Sequence, residues 1–187
     1  MAEVRPIIPI DFAYTRTAIA LHWLTVALIA TGFTLGLWMV DLPIAPQTIR
    51  VYAYHKWIGI TVFLVTLARL GWRIAHPVPP PAGMPAWQRR AAVASHVSLY
   101  VLMLVIPVSG WLYSSATGVQ VVYLRLFPLP DLVAKDRALA AVLRIVHLAL
   151  NSALFALVCV HVGAALRHHY VARDAVLHRM LPLARPK

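Results

Sequence analysis

Four long apolar runs, parted by short segments rich in proline and charge, make up most of this chain. The first, Thr17 to Val40, carries no charge and stops at Asp41, with Pro43 and Pro46 just beyond. The second opens near His55 and ends at Ala75, with Arg69 and Arg73 near its far end, where long side chains are expected to reach the lipid headgroups. His76, Pro77, Pro79, Pro80 and Pro81 then read as an extended linker. The third run follows Arg89 and Arg90 and reaches about Ser114 through Pro107, which is expected to kink it. Gly118, Pro128 and Pro130 predict a surface loop. The fourth starts near Asp136 and runs to about His169, free of charge from Ile145 to Leu166. Each run is long enough for a hydrocarbon core, which takes about 20 helical residues. None has the short alternating segments of a barrel. The pattern predicts an all-α, four-helix transmembrane bundle in a single domain over 1–187, with helices at roughly 15–40, 55–75, 90–114 and 137–169.

Composition agrees and narrows the function classes. Hydrophobic residues are 61% and charged residues 12%, against a usual charged share near 25%, which excludes a water-soluble domain. The net charge of +11 would suggest nucleic acid, but the cations fall in the gaps between apolar runs, so no nucleic-acid partner is expected. They set topology instead. Of 17 Lys and Arg, six (Arg50, Lys56, Arg125, Lys135, Arg137, Arg144) belong to one side and the rest to the other, which predicts cytoplasmic termini. The lone Cys159 excludes a disulfide framework and a thiolate metal site within the chain. The six tryptophans lie mostly at helix ends, as an aromatic belt predicts.

Ionisable side chains inside spanning segments are costly and mark function. His147 and His161 share the fourth helix fourteen residues apart, about four turns, so both face one way at depths about 21 Å apart. With alternating helix directions, His22 falls level with His161 and His55 level with His147. Two cross-helix imidazole pairs suit six-coordinate haem iron. Zinc would want three or four ligands at one point, and the absence of carboxylates from the spanning interiors disfavours a di-iron centre. A membrane histidine can equally be an interhelical hydrogen-bonding residue. Gly32, Gly36, Gly59 and Gly163 lie near these histidines and leave room for a porphyrin or for close helix packing.

The blocks RTAIALHW from Arg16 to Trp23, YHKWIGI, SHVSLYVLMLVIPVSGW and HVGAALRHHY, in this order, resemble the bacterial cytochrome b561 family over about Tyr14 to Pro182. The resemblance implies a multi-pass protein of the bacterial inner membrane with two b-type haems, held by the pairs His22/His161 and His55/His147. It implies electron exchange with ubiquinone and, for the stand-alone superoxide oxidase type, oxidation of superoxide at the periplasmic face. The alternative within the same fold is a cytochrome b subunit passing electrons between a partner dehydrogenase and the quinone pool. A second copy of the chain or such a redox subunit is compatible with either.

On that basis further residues acquire expected roles. His168 continues the stripe of His161 toward the cytoplasm and, with His96 from the third helix, is expected to bind the quinone; His96 is also a rival to His22 as haem ligand. Arg16, before His22, is expected to meet a haem propionate. Arg144, one turn before His147, and Lys56, beside His55, are expected to draw superoxide toward the outer haem, or else to neutralise propionates there.

Overall fold

A computed structural model of the chain describes residues 14–43, 45–77 and 84–181. Pro79, Pro80 and Pro81 of the expected linker, with residues 1–13 and 182–187, lie outside the described residues. Four helices, α1 (Arg16–Met39), α2 (Pro46–Ala75), α3 (Ala86–Thr117) and α4 (Arg137–Arg167), run up and down in sequence order. All four are long and apolar enough to cross a membrane. Two of their N-termini are capped by the residue types that supply a side-chain acceptor there. Thr15 Oγ1 accepts from Ala18 N at 3.1 Å, and Asp136 Oδ1 accepts from Ala138 N and Leu139 N at 2.8 and 3.1 Å.

Two helices exceed their expected bounds. α2 begins at Pro46, not near His55, because proline at the first helical position needs no N–H partner, and Thr48 Oγ1 accepts from Ala45 N at 2.9 Å. Pro46, just beyond the end of α1, therefore starts α2. α3 runs from Ala86 to Thr117 rather than 90 to 114, with Arg89 and Arg90 inside its first turns, and its helix is continuous through Pro107. Gly118 closes it at φ 78, where a Cβ would also lie 2.8 Å from Lys135 Cδ.

Neighbouring helices in sequence pack side by side, α1 on α2, α2 on α3 and α3 on α4. α1 and α4 instead meet through rings, Phe33 on Phe155 at 6.0 Å and His22 opposite His161 at 6.5 Å. Val62, Met103, Ile106 and Leu154 form an apolar layer across the middle. Large apolar side chains such as Leu37, Ile74 and Val160 cover the outside, as a lipid-facing surface requires.

The segment after α3 is a small roof rather than a free loop. β1 (Val122–Tyr123) pairs antiparallel with β2 (Phe127–Pro128), and the turn between them holds Leu124 and Arg125 at φ 51 and 61. Trp57 Nε1 donates to Val122 O at 2.7 Å, and Trp111 Nε1 donates to Pro130 O at 3.0 Å. These indoles thus pin the hairpin to the bundle. At the opposite end, where α1 begins and α4 ends, a π-helical turn (His168–Ala172) and a 3-10 turn (His178–Met180) fold back, and Trp23 Nε1 donates to Met180 O at 2.8 Å.

Candidate cofactor site

Each end of the bundle carries one histidine layer, with the apolar layer between them. In the hairpin-end layer, His55 on α2 faces His147 on α4 with ring centres 6.4 Å apart. Two imidazoles on opposite sides of one metal, each bound at about 2 Å, hold their ring centres roughly 6 Å apart. Any rotation about that axis is allowed, so the interplanar angle of 87° fits as well as a small one would.

The hydrogen bonds at this layer fix which ring nitrogen is free. Gly32 O can only accept, so His55 Nδ1 donates to it at 3.1 Å and Nε2 keeps its lone pair. Ser109 Oγ spends its one hydrogen on Ile106 O at 2.7 Å. Lying 2.8 Å from His147 Nδ1, it can then only accept, and His147 Nε2 is likewise the bare nitrogen. This is how metal-binding histidines are oriented, with the far N–H held by a carbonyl or hydroxyl.

Two glycines let the rings sit against helix backbone. A Cβ at Gly36 would meet His55 Cε1 at 3.2 Å, and one at Gly110 would meet His147 Cε1 at 3.0 Å. At Gly59, one turn from His55, an added Cβ would meet nothing within 4 Å, which leaves open space beside that histidine; Gly163 is equally open but lies exposed on another side of α4 from His161. Gly110→Val is expected to drive its branched side chain into His147 and cost about 1–3 kcal/mol, read as a lower unfolding temperature in detergent.

The terminal-end layer is richer. His22 on α1 lies 6.5 Å from His161 on α4, the spacing of the first pair, while His96 on α3 lies 5.5 Å from the same ring. The spacing therefore suits His22 better than His96 as the partner of His161. α2 contributes Arg69, whose Nη2 lies 3.2 Å from His22 Nδ1 and whose guanidinium stands over Tyr100 at 5.4 Å. Arg69 was expected to snorkel outward; instead it turns into the bundle. The signal was in the sequence, because Arg69 follows His55 by fourteen residues on α2, the step that joins His147 to His161 on α4.

Other expected residues fall apart from these pairs. Arg16 is exposed at the first position of α1. His168 Nδ1 pairs with Asp174 Oδ2 at 2.5 Å beyond α4. Arg144 is exposed on α4 one turn outward from His147. Lys56 turns into the bundle and donates to Ser114 Oγ at 2.6 Å. Among the described residues, no three His, Cys, Asp or Glu side chains converge as a metal-ion site. Two-ligand histidine pairs beside open space fit a porphyrin, whose iron brings its own equatorial ligands.

A family model described as prokaryotic cytochrome b561 matches residues 13–183. Cytochrome b561 homolog 2 of Escherichia coli K12 is 34% identical over 178 residues, covering 90% of each chain. A Yersinia pestis protein named probable superoxide oxidase is 27% identical over 177 residues, covering 92% of this chain and 97% of its own. Cytochrome b562 of Cereibacter sphaeroides is 29% identical over 174 residues, covering 90% and 94%.

Proposed function

The chain belongs to the prokaryotic cytochrome b561 family, multi-pass electron-transfer cytochromes of the bacterial inner membrane that bind b-type haem, and from that premise we propose that it is a diheme superoxide:ubiquinone oxidoreductase. The balanced reaction takes two superoxide anions, one ubiquinone and two protons to two dioxygen molecules and one ubiquinol. The observation that carries the reading is the pair of matched histidine couples, at 6.4 and 6.5 Å, one at each end of the bundle. His55 and His147 would hold one haem and His22 and His161 the other; when bound, the haems supply the one-electron redox chemistry.

The protein's part is position and proton handling. Gly32 O and Ser109 Oγ keep His55 and His147 in the tautomer that binds through Nε2. The apolar layer of Val62, Met103, Ile106 and Leu154 keeps water from the middle of the bundle. At the terminal end, assigned to the cytoplasm by its greater share of cations, the quinone meets His96 and His168. Asp174 accepts from His168 Nδ1–H, which leaves His168 Nε2 to take a proton from water and pass it to a quinone oxygen.

At the hairpin end, Arg144 is the exposed cation nearest in sequence to a ligand histidine, whereas Lys56 is engaged with Ser114. An exposed cation raises the encounter rate of a small anion in a salt-dependent way. The test is haem reduction by superoxide, followed spectrally in protein reconstituted with ubiquinone, with ubiquinol measured as product. Superoxide-dependent ubiquinol formation is expected, and its absence in haem-loaded protein would overturn the assignment. Arg144→Glu is expected to slow reduction by superoxide several-fold at low salt and to flatten its salt dependence, leaving reduction by ubiquinol unchanged. An unchanged, salt-sensitive rate would remove Arg144 as the guide.

A further inference from the structure

Arg69 is a cation within a spanning helix, and among the described residues no Asp or Glu pairs with it. Its contacts include His22 Nδ1 at 3.2 Å and the Tyr100 ring face at 5.4 Å. Among the described residues the one ion pair is His168 with Asp174. A half-buried guanidinium at membrane depth calls for an anion.

The hydrogen-bond roles sharpen the point. A guanidinium only donates, so the Arg69 contact requires His22 Nδ1 to accept. A neutral imidazole that binds a metal through Nε2 carries its proton on Nδ1 and cannot accept there. Ligation by His22 and this contact exclude each other, in contrast to the hairpin end, where Gly32 O and Ser109 Oγ are acceptors. With His22 as ligand, the Arg69 donors need another acceptor. Next to them lies a cavity of about 200 Å³, lined by Arg69, Arg73, Tyr14, Thr15, Trp72 and Tyr100 among others, with no Asp or Glu among the described residues of its wall.

We propose that Arg69 is the carboxylate anchor of the terminal-end site, taking a haem propionate directed into this cavity, with Arg73 one helical turn further along its wall. The proposal rests on the haem-ligation reading above. A planar fork of donors matches a carboxylate, and the cation stands at the ligand histidine itself rather than at the lipid boundary. It replaces Arg16, exposed at the start of α1, as the propionate partner.

The test uses full-length protein carrying His55→Ala, which leaves the terminal-end site alone, titrated in detergent with haem b or with haem dimethyl ester, whose propionates are neutral. Haem b is expected to bind roughly tenfold more tightly or better. Adding Arg69→Leu is expected to abolish that preference while the low-spin bis-histidine spectrum persists, and adding Arg16→Leu is expected to leave it intact. Equal binding of both haems with Arg69 present, or collapse of the preference with Arg16→Leu alone, would overturn the proposal. So would Arg69→Leu changing only the phosphate of co-purified lipid, which would make Arg69 a headgroup site. Failure of the His55→Ala protein to bind either haem would instead sink the ligation reading, and this proposal with it. In the two-haem protein, Arg69→Leu should shift the propionate bending band of one haem in the resonance Raman spectrum; an unshifted band counts against the anchor independently of the His55→Ala background.

Discussion

Replacing His161 by Ala is expected to lower the haem-to-protein ratio from about two to about one, read by pyridine hemochrome against amino-acid analysis. His161 faces His22 at 6.5 Å and His96 at 5.5 Å, so its loss removes the member that these two imidazole pairs share. The hairpin-end layer should survive, because His55 and His147 draw their support from Gly32 and Ser109 and are separated from His161 by the apolar layer. The remaining haem should still be reduced by superoxide, while ubiquinol formation falls to background. A ratio still near two would show that His161 is not a ligand. A ratio near zero would show that the two layers do not fold as independent sites.

Much of this arrangement was legible along the chain. Four apolar runs of spanning length allow little besides a helical bundle, since a lipid-exposed backbone must satisfy its own hydrogen bonds. The fourteen-residue step from His147 to His161 fixes a common face through helical periodicity alone, and helix direction then sorted His22 and His55 by depth. The same arithmetic applied to α2 would have placed Arg69 inward, opposite the expectation that it reaches the headgroups. That expectation followed the rule for cations near the end of a span, which concerns depth and ignores rotation about the helix axis. The early start of α2 at Pro46 was not legible because proline both ends and begins helices, and the deciding feature is the Thr48 hydroxyl, which accepts from the backbone of Ala45.

The contacts between helices were not legible. That Ser109 and Gly110 of α3 lie against His147 of α4 depends on the register of two helices, which no periodicity within either one specifies. The tryptophans show the same limit. Most lie near helix ends, as the sequence indicates, but Trp57, about three turns into α2, and Trp111 also donate to carbonyls of the hairpin segment, and so hold a roof over the His55 and His147 end. An aromatic belt explains their depth; the hydrogen bonds explain why the segment between α3 and α4 is ordered.

Ser109→Ala is expected to weaken haem binding at the hairpin end by about 10–100-fold while leaving the terminal-end site unaltered. Ser109 is buried and occupies a definite link in a chain of donors, giving its proton to Ile106 O at 2.7 Å and accepting from His147 Nδ1 at 2.8 Å. Alanine removes the acceptor, so His147 loses the bond that holds Nε2 bare and the ring in place, and a polar N–H is left without its partner. Combining the change with His161→Ala isolates the hairpin-end site, so that titration with haem b reads its affinity directly. Ser109→Thr keeps the hydroxyl and is expected to restore most of the affinity, which separates the hydrogen bond from a mere effect on packing. If alanine binds as tightly as serine in that background, His147 is not oriented by Ser109. If threonine fails as alanine does while the unfolding temperature drops equally in both, the residue acts through packing of α3 against α4 and not through the imidazole.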